Sequence, residues 1–214
     1  MATSDSTTFD LNIDDIIQEA YERCGKRTNS GYDLKSARRS LNILFSEWGN
    51  RGVHLWKVEL KEQLLTAGTS TYTAPTNAND ILEAYISTTT GTTSATNDVS
   101  LTKISRSEYA ALPNKGSTGQ PSQYYVDRQT IPQITLYQTP DASTYTYLKY
   151  YYLKRIEDAG AYTNTADVVF RFIPCMVAGL SYYLSMKYNP QVVQQNKLIY
   201  LSLIHISEPT RQSL

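Results

Sequence analysis

The chain has 214 residues, 41% of them hydrophobic and 19% charged, and its 20 basic residues balance 20 acidic ones. This length and composition fit one globular domain, or one domain that carries a large insertion. The zero net charge excludes a global field that would attract nucleic acid or an anionic membrane. The longest apolar run, near Phe170, is broken by Arg171 and Pro174 and is too short to cross a bilayer.

The N-terminal region predicts a disordered segment followed by a helix. Residues 1–8 are polar and rich in Ser and Thr, so they do not form a signal peptide. Asn12 can cap the helix, and Gly25 is expected to end it. Its apolar residues recur at helical spacing and include Cys24. Cys24 and Cys175 both lie in apolar helical patterns, so they are expected to be buried free thiols.

The segment from Asp33 to Leu60 is predicted to organise the fold. A second amphipathic helix should run to Trp48, where Gly49 takes the left-handed conformation that ends it. From Trp56 onward apolar and charged residues alternate, which predicts a strand with one wet face. The residues predicted to organise the core are Phe45, Trp48, Gly49, Gly52 and Trp56.

Residues 53–158 predict short strands joined by polar loops. Ile81–Ser87 predicts a strand, and the segment Ser87–Ser100, which has few apolar residues, predicts a mobile loop. Ser105 is expected to cap a short helical turn. Three further strands are predicted at Gln123–Arg128, Ile134–Gln138 and Tyr145–Arg155.

Tyrosine is frequent, with 18 residues against 4 phenylalanines. A tyrosine ring combines an apolar body with a polar hydroxyl, which suits half-buried sheet faces and subunit interfaces. Tyrosine is also common in strands for reasons of packing alone. The last predicted strand carries tyrosines on both faces, and its candidate subunit-interface residues are Tyr147, Tyr150, Tyr151 and Tyr152.

The helical period returns from Asp167 to the end of the chain. Pro174 is expected in the first turn of a long helix, and Gly179 should permit a close helix contact. The pair Asn189–Pro190 predicts the start of a last helix.

These four helical patterns together predict the fold class. We expect an α+β protein in which residues 9–52, a helical hairpin, and residues 159–200, a helix pair, close a four-helix bundle. Residues 53–158 are expected to form an antiparallel β-rich module inserted between them.

Residues 201–214 begin with the string LSLIHISEPTR. This string resembles the translation of a transposase sequencing adaptor, so the segment is expected to be a read-through that is not native. The natural chain is then expected to continue past Tyr200. The segment should pack poorly or merely prolong the last helix.

The sequence contains no catalytic constellation. His54 has no evident nucleophile or metal partner, so a structural role is expected. The loop Lys115–Pro121 contains glycine but lacks the spacing of a nucleotide fingerprint. No enzyme, cofactor or metal site is predicted.

Two features leave nucleic-acid binding open as an alternative. One is a small basic patch on the second helix, which is also typical of a solvated face or an intersubunit ion-pair partner. The other is an aromatic pair near an arginine that could stack bases. The two groups are Lys35, Arg38 and Arg39, and Tyr124, Tyr125 and Arg128.

Three motifs carry a family resemblance: EWGNRGVHLW at 47–56, LPN at 112–114, and RFIPCMVAGLSYYLSMKYNP at 171–190. Together with the two N-terminal helices and the strand-rich middle, they resemble the head-to-tail adaptors of short-tailed bacteriophages. This family comprises the tail accessory factors and the tail tubular proteins A. The resemblance extends over most of residues 9–200.

The resemblance implies a virion structural protein, assembled in the host cytoplasm, that is neither an enzyme nor a membrane protein. It implies a homo-oligomeric ring, a dodecamer, that joins the portal protein to the tail nozzle protein. The ring would line the channel through which double-stranded DNA passes. The tyrosine-rich sheet keeps an alternative open, namely another phage tail component such as a carbohydrate-binding or fibre-attachment module.

Overall fold

A computed structural model describes residues 11–27, 30–52, 55–91 and 97–207. The predictions for residues 1–8 and for His54 lie outside these residues, as does part of the predicted loop Ser87–Ser100. The chain forms two compact units, one from residues 1–54 and 156–214 and the other from residues 55–155. Among the residues described, none of the helices is both long enough and apolar enough to span a membrane.

The described elements are as follows. The helices are α1 (Ile13–Arg23), α2 (Gly31–Arg51), α3 (Arg106–Ala111), α4 (Ile173–Tyr188) and α5 (Val193–Ser207). The strands are β1 (Val58–Leu64), β2 (Thr71–Thr73), β3 (Ala78–Ser87), β4 (Asp98–Ser100), β5 (Thr102–Ile104), β6 (Thr118–Gly119), β7 (Gln123–Asp127), β8 (Gln133–Tyr137), β9 (Thr139–Pro140) and β10 (Tyr147–Lys154).

The predicted fold class, a four-helix bundle with an inserted antiparallel β-rich module, is wrong. The described chain has five helices and ten strands in three sheets, with 41% helical and 27% strand residues, so a large part of the fold is β-structure. The strands are also not all antiparallel, because β5 pairs with β7, and β6 with β9, in parallel.

Helix α4 explains why the bundle prediction fails. The prediction gave each helix a single apolar stripe, which suits a shared bundle seam. In α4 every residue from Cys175 to Ser181 is buried, so this part of the helix is covered on all sides. Helices α1, α2 and α5 each contact α4, which is therefore the centre of the helical unit.

The contact of α4 with α2 and α5 depends on Gly179. A Cβ atom at this position would lie 2.9 Å from both Cδ atoms of Leu44 and 3.0 Å from Cε2 of Tyr200. The missing side chain therefore permits the close helix contact that was predicted. Next to it, Trp48 is fully buried and its Nε1 donates a hydrogen bond to the Tyr200 hydroxyl at 3.0 Å.

Helix α2 is longer than predicted at both ends. It begins after Ser30, whose hydroxyl accepts a hydrogen bond from the Asp33 backbone N–H at 3.4 Å. It ends at Gly52, which has a φ of 75°. Gly49, predicted to end the helix, lies within it, because Gly52 is the residue that takes the left-handed conformation.

The cysteine and tail predictions fall in the same unit. Cys24 and Cys175 are free and buried, as predicted, and burial raises the pKa of the Cys24 thiol to about 11. Helix α5 continues unbroken to Ser207, so this part of the tail prolongs the last helix. Ile204 is buried, which shows that it also packs.

The β-rich unit contains two four-stranded sheets, with strand orders β1-β10-β3-β4 and β2-β8-β7-β5. Residues from both sheets bury one continuous core, which includes Tyr150, Tyr124 and Ile134. The five strands predicted in this region correspond to β1, β3, β7, β8 and β10, with shifts of up to three residues at their ends. Trp56 lies in a 3-10 turn before β1, so this strand begins two residues later than predicted.

The first prediction concerns the core of the helical unit. Replacing Trp48 by Ala should lower the free energy of unfolding by about 3–5 kcal/mol, because a large buried ring is replaced by a cavity. Urea unfolding measures the change, with Tyr32→Ala as the control, because the Tyr32 side chain is 68% exposed. An unaltered transition for Trp48→Ala would show that this ring does not hold the unit together.

The second prediction compares two buried tyrosines of the sheet core. The Tyr150 hydroxyl is buried without a hydrogen-bond partner among the residues described, whereas the Tyr124 hydroxyl donates to the Leu82 carbonyl at 3.2 Å. Tyr150→Phe should therefore leave stability unchanged or raise it, and Tyr124→Phe should lower it by about 1 kcal/mol. Equal losses in urea unfolding would contradict this difference.

Candidate functional site

The strand register creates an accessible aromatic face on the sheet β1-β10-β3. Tyr151 pairs with Leu60 of β1 and Glu83 of β3, and Tyr147 pairs with Leu64 and Ser87. Directly paired residues project to the same side of a sheet. We call this side the outer sheet face and define it by Leu60, Leu64, Tyr85, Tyr147 and Tyr151.

The outer sheet face combines apolar and charged side chains and is partly open to solvent, with the Glu62–Lys149 pair between its tyrosines. Leu64 is 61% exposed and Tyr151 is 36% exposed. The Tyr85 and Tyr151 rings meet edge to face with their centroids 6.5 Å apart. Such a face, flanked by acidic side chains such as that of Glu83, has the composition of a protein contact surface.

Two of the four candidate interface tyrosines lie on the opposite side of β10. Tyr150 is fully buried and Tyr152 is 5% exposed, both in the core that the two sheets share. Their rings are therefore not available to a partner. The sequence showed aromatic residues on both faces of β10 but could not show that the second sheet covers one of them. Tyr147 and Tyr151 remain on the accessible side.

Tyr85 is a residue of this face that the sequence analysis missed. Its hydroxyl donates a hydrogen bond to the Glu83 carboxylate at 2.5 Å. This hydrogen bond, together with partial burial, raises the pKa of Tyr85 to about 12. The alternation of Glu83, Tyr85 and Ser87 along β3 was the signal that could have placed it on the same face as Tyr147.

A buried lysine lies in the middle of the outer sheet face, because Lys149 projects between Tyr147 and Tyr151 and pairs with Glu62 and Tyr85. Lys149 is 1% exposed, and its ammonium group donates to Asp98 Oδ1 at 3.1 Å and to the Gly91 carbonyl. Glu62 lies 3.9 Å from the same nitrogen and accepts a hydrogen bond from the Gly91 N–H at 2.7 Å. These contacts hold Gly91, which follows β3, and Asp98, the first residue of β4, beside the Lys149 ammonium group.

The basic patch predicted on α2 is partly structural. Arg38 donates a hydrogen bond to the Gly160 carbonyl at 3.0 Å. Its guanidinium carbon also lies over the Tyr162 ring, 5.3 Å from the ring centroid, in a cation–π contact. It therefore holds the chain around residue 160 against α2. Lys35 and Arg39 are exposed.

The predicted aromatic pair near Arg128 is divided between core and surface. Tyr124 is buried, whereas Tyr125 is half-buried. The Tyr125 ring stacks on the ring of Tyr109 in α3, with the ring centroids 5.5 Å apart. Arg128 forms an ion pair with Asp80 at 2.9 Å. Adjacent tyrosines that face opposite sides of a strand cannot stack neighbouring bases together.

The residues described contain no group of three or more His, Cys, Asp or Glu that could hold a metal ion. In the loop Lys115–Pro121 the Lys115 ammonium donates to the carbonyls of Ala110 and Leu112 at 2.9 and 2.8 Å. This lysine therefore satisfies carbonyl groups at the end of α3.

A family model described as SU10 adaptor protein matches residues 3–202, and the chain belongs to this family of phage adaptors. A search of curated proteins found no match. The protein is thus a phage head-to-tail adaptor, a structural component of the virion that interacts with portal and tail components and is not an enzyme. The family is not specific to short-tailed phages, so the resemblance drawn from the sequence was too narrow.

The third prediction concerns the Lys149 contacts and their pH dependence. Burial alone would raise the pKa of Asp98, but hydrogen bonds from Ser87 and Lys149 and the charge of Lys149 outweigh it, so the pKa is lowered. The carboxylate therefore stabilises the fold fully above its unfolded pKa, about 3.9. This contribution is lost as the pH falls through the lower folded value.

Asp98→Asn should accordingly reduce stability near neutral pH, and the deficit should shrink toward zero in strong acid. Urea midpoints of the variant and the wild type, measured across this range, give the difference directly. A deficit of the same size at both ends would show that the charge of Asp98 plays no part.

Proposed function

We propose that this adaptor is a ring subunit between the portal vertex and the tail nozzle, and that the outer sheet face contacts the neighbouring copy. The observation that carries the proposal is the exposure of Leu64 and Tyr151 on a regular, paired sheet. Leu64 and Tyr151 lie on either side of the Glu62–Lys149 row, and exposed apolar side chains grouped on one sheet face favour contact with another protein. Tyrosines and leucines of this kind are typical of the buried centre of a protein interface.

Ring closure sets a requirement on this face. A closed ring uses heterologous contacts, so the outer sheet face must meet a different surface of the next copy. A stable interface of this kind buries on the order of 1,600 Å² in total. Leu60, Leu64, Tyr147 and Tyr151 would supply the apolar contacts, and the Glu83 carboxylate beside Tyr151 would supply a polar contact.

The two parts of the chain are proposed to have different roles. Residues 9–52 and 159–200 would form the ring body and line the channel for double-stranded DNA, and residues 53–158 would contact tail components. Exposed Lys35 and Arg39 on α2 support the first role, because cations near a channel can meet phosphates without reading sequence. We also propose a dodecamer, assembled in the host cytoplasm, in keeping with the resemblance to head-to-tail adaptors.

The exposed tyrosines also favour a second candidate, a carbohydrate-binding or fibre-attachment module of the tail. Aromatic rings with hydroxyl and carboxylate neighbours, as at Tyr85 and Glu83, can pack on sugar rings and bind their hydroxyls. The two candidates differ in partner, since a connector binds portal and nozzle proteins whereas a receptor module binds a host glycan.

The fourth prediction tests the outer sheet face. The double variant Tyr147→Ser, Tyr151→Ser should remain folded but assemble poorly into rings on portal, because two apolar rings are removed from the contact. Sedimentation velocity and negative-stain images of adaptor mixed with portal measure assembly. Tyr32→Ser on α2 is the matched control, since it also removes an exposed tyrosine.

The double variant must first show a wild-type circular dichroism spectrum. Full ring assembly by this folded variant would remove the outer sheet face from the interface. Loss of glycan binding with unchanged assembly would instead favour the second candidate.

A further inference from the structure

A cleft in the β-rich unit has the composition of an anion-binding site. It lies where β5 and the start of α3 meet β7, and its volume is about 550 Å³, within the range of roughly 300–1,000 Å³ that is common for ligand pockets. Three cationic side chains line it, together with an apolar wall. These residues are Lys103, Arg106, Arg128, Ile104, Tyr125 and Val126.

The wall of the cleft is fixed by sheet pairing and ring stacking. β5 runs parallel to β7, with Ile104 opposite Tyr125. The Tyr125 ring stacks on Tyr109 of α3, with ring centroids 5.5 Å apart and planes 19° apart. Val126 is buried. The cations are therefore presented on a pre-formed scaffold, which reduces the entropy lost on binding.

The charges of the cleft do not balance. Arg128 donates two hydrogen bonds to Asp80, at 3.3 and 2.9 Å, and Lys103 lies 3.6 Å from the same carboxylate. Asp127 is the other acid at the cleft, and it accepts a hydrogen bond from Gln129. Arg106 forms no ion pair and no side-chain hydrogen bond with any residue that the structure describes. Three cations against two carboxylates leave one net positive charge beside an exposed guanidinium.

We propose that this cleft binds a short acidic segment of a partner protein, with a carboxylate on Arg106 and an apolar side chain against Tyr125 and Ile104. Arginine suits this ligand because its planar fork can bind a carboxylate through two hydrogen bonds. The Arg128–Asp80 pair already shows that geometry within the same cleft. The proposal rests on the assignment as an adaptor, which supplies portal and tail proteins as partners, but not on the ring contact proposed above.

Duplex DNA fits the cleft less well than a peptide. Non-specific DNA binding needs a row of cations that follows several phosphates. Here the cations converge on one concave site, where Asp80 and Asp127 would repel a polyanion. A peptide with one or two carboxylates and one apolar side chain matches both the single excess charge and the apolar wall.

The fifth prediction is tested by fluorescence anisotropy on the full chain. The probes are a fluorescein-labelled octapeptide with two aspartates and one phenylalanine, the same peptide with asparagine for aspartate, and a labelled duplex DNA. The aspartate peptide should bind, and its affinity should fall as salt is added. Arg106→Ser should raise the Kd of the aspartate peptide about tenfold, which corresponds to the loss of one charge-assisted hydrogen bond.

Arg27→Ser is the matched control, because Arg27 is an exposed arginine in the helical unit, and it should bind as the wild type does. Equal binding of the aspartate and asparagine peptides, no effect of Arg106→Ser, or a preference for duplex DNA would each overturn the proposal. Ring formation by the same variants is measured separately. A wild-type ring with no peptide binding would count against the cleft alone, whereas a missing ring with intact peptide binding would count against the proposed ring.

Discussion

The helical unit depends on the burial of Trp48 against the end of the chain. The Trp48 indole donates to the hydroxyl of Tyr200, 152 residues away in sequence, and its ring packs against Phe172 with centroids 6.0 Å apart. Gly179 leaves the space in which these groups meet. The helical unit is therefore built from two separate stretches of the chain, and residues 55–155, which form the β-rich unit, lie between them in the sequence.

The β-rich unit carries both of the proposed contact surfaces, the outer sheet face and the cationic cleft. Its core, which holds the buried Tyr124 and Tyr150, packs the two sheets against each other behind these surfaces. Function in this protein is adhesion between proteins, and adhesion requires surfaces whose shape is set before contact. The hydrogen bonds of Lys149 hold Gly91 and Asp98 in place at the middle of the outer sheet face.

Short sequence patterns predicted the positions of most helices and strands. The predictions failed where the outcome depends on contacts between residues far apart in the sequence. The cap residues Asn12 and Ser105 mark the starts of α1 and α3, where capping depends on only three or four neighbouring residues. Gly49 and Gly52 carry the same local signal, so the sequence could not tell which of them ends α2. The middle of α4 is buried on all sides because three other helices pack against it. The sequence of α4 alone does not reveal these contacts.

The candidate sites were harder to predict for the same reason. Alternation along β10 separated Tyr151 from Tyr150 correctly, but only the second sheet decides which of the two is buried. The cationic cleft forms because β5 pairs with β7 in parallel, some twenty residues further along the chain. Nothing in the residues around Lys103 or Arg128 signals that pairing. The family assignment, by contrast, agrees with motifs that are visible in the sequence, such as the segment 171–190.

A cryo-electron microscopy map of the adaptor assembled on its portal protein tests the central claim most directly. The account predicts a closed ring in which Tyr147 and Tyr151 of each copy are buried against the next copy. A closed ring that leaves both rings in solvent, or an adaptor that binds portal only as isolated copies, would contradict it.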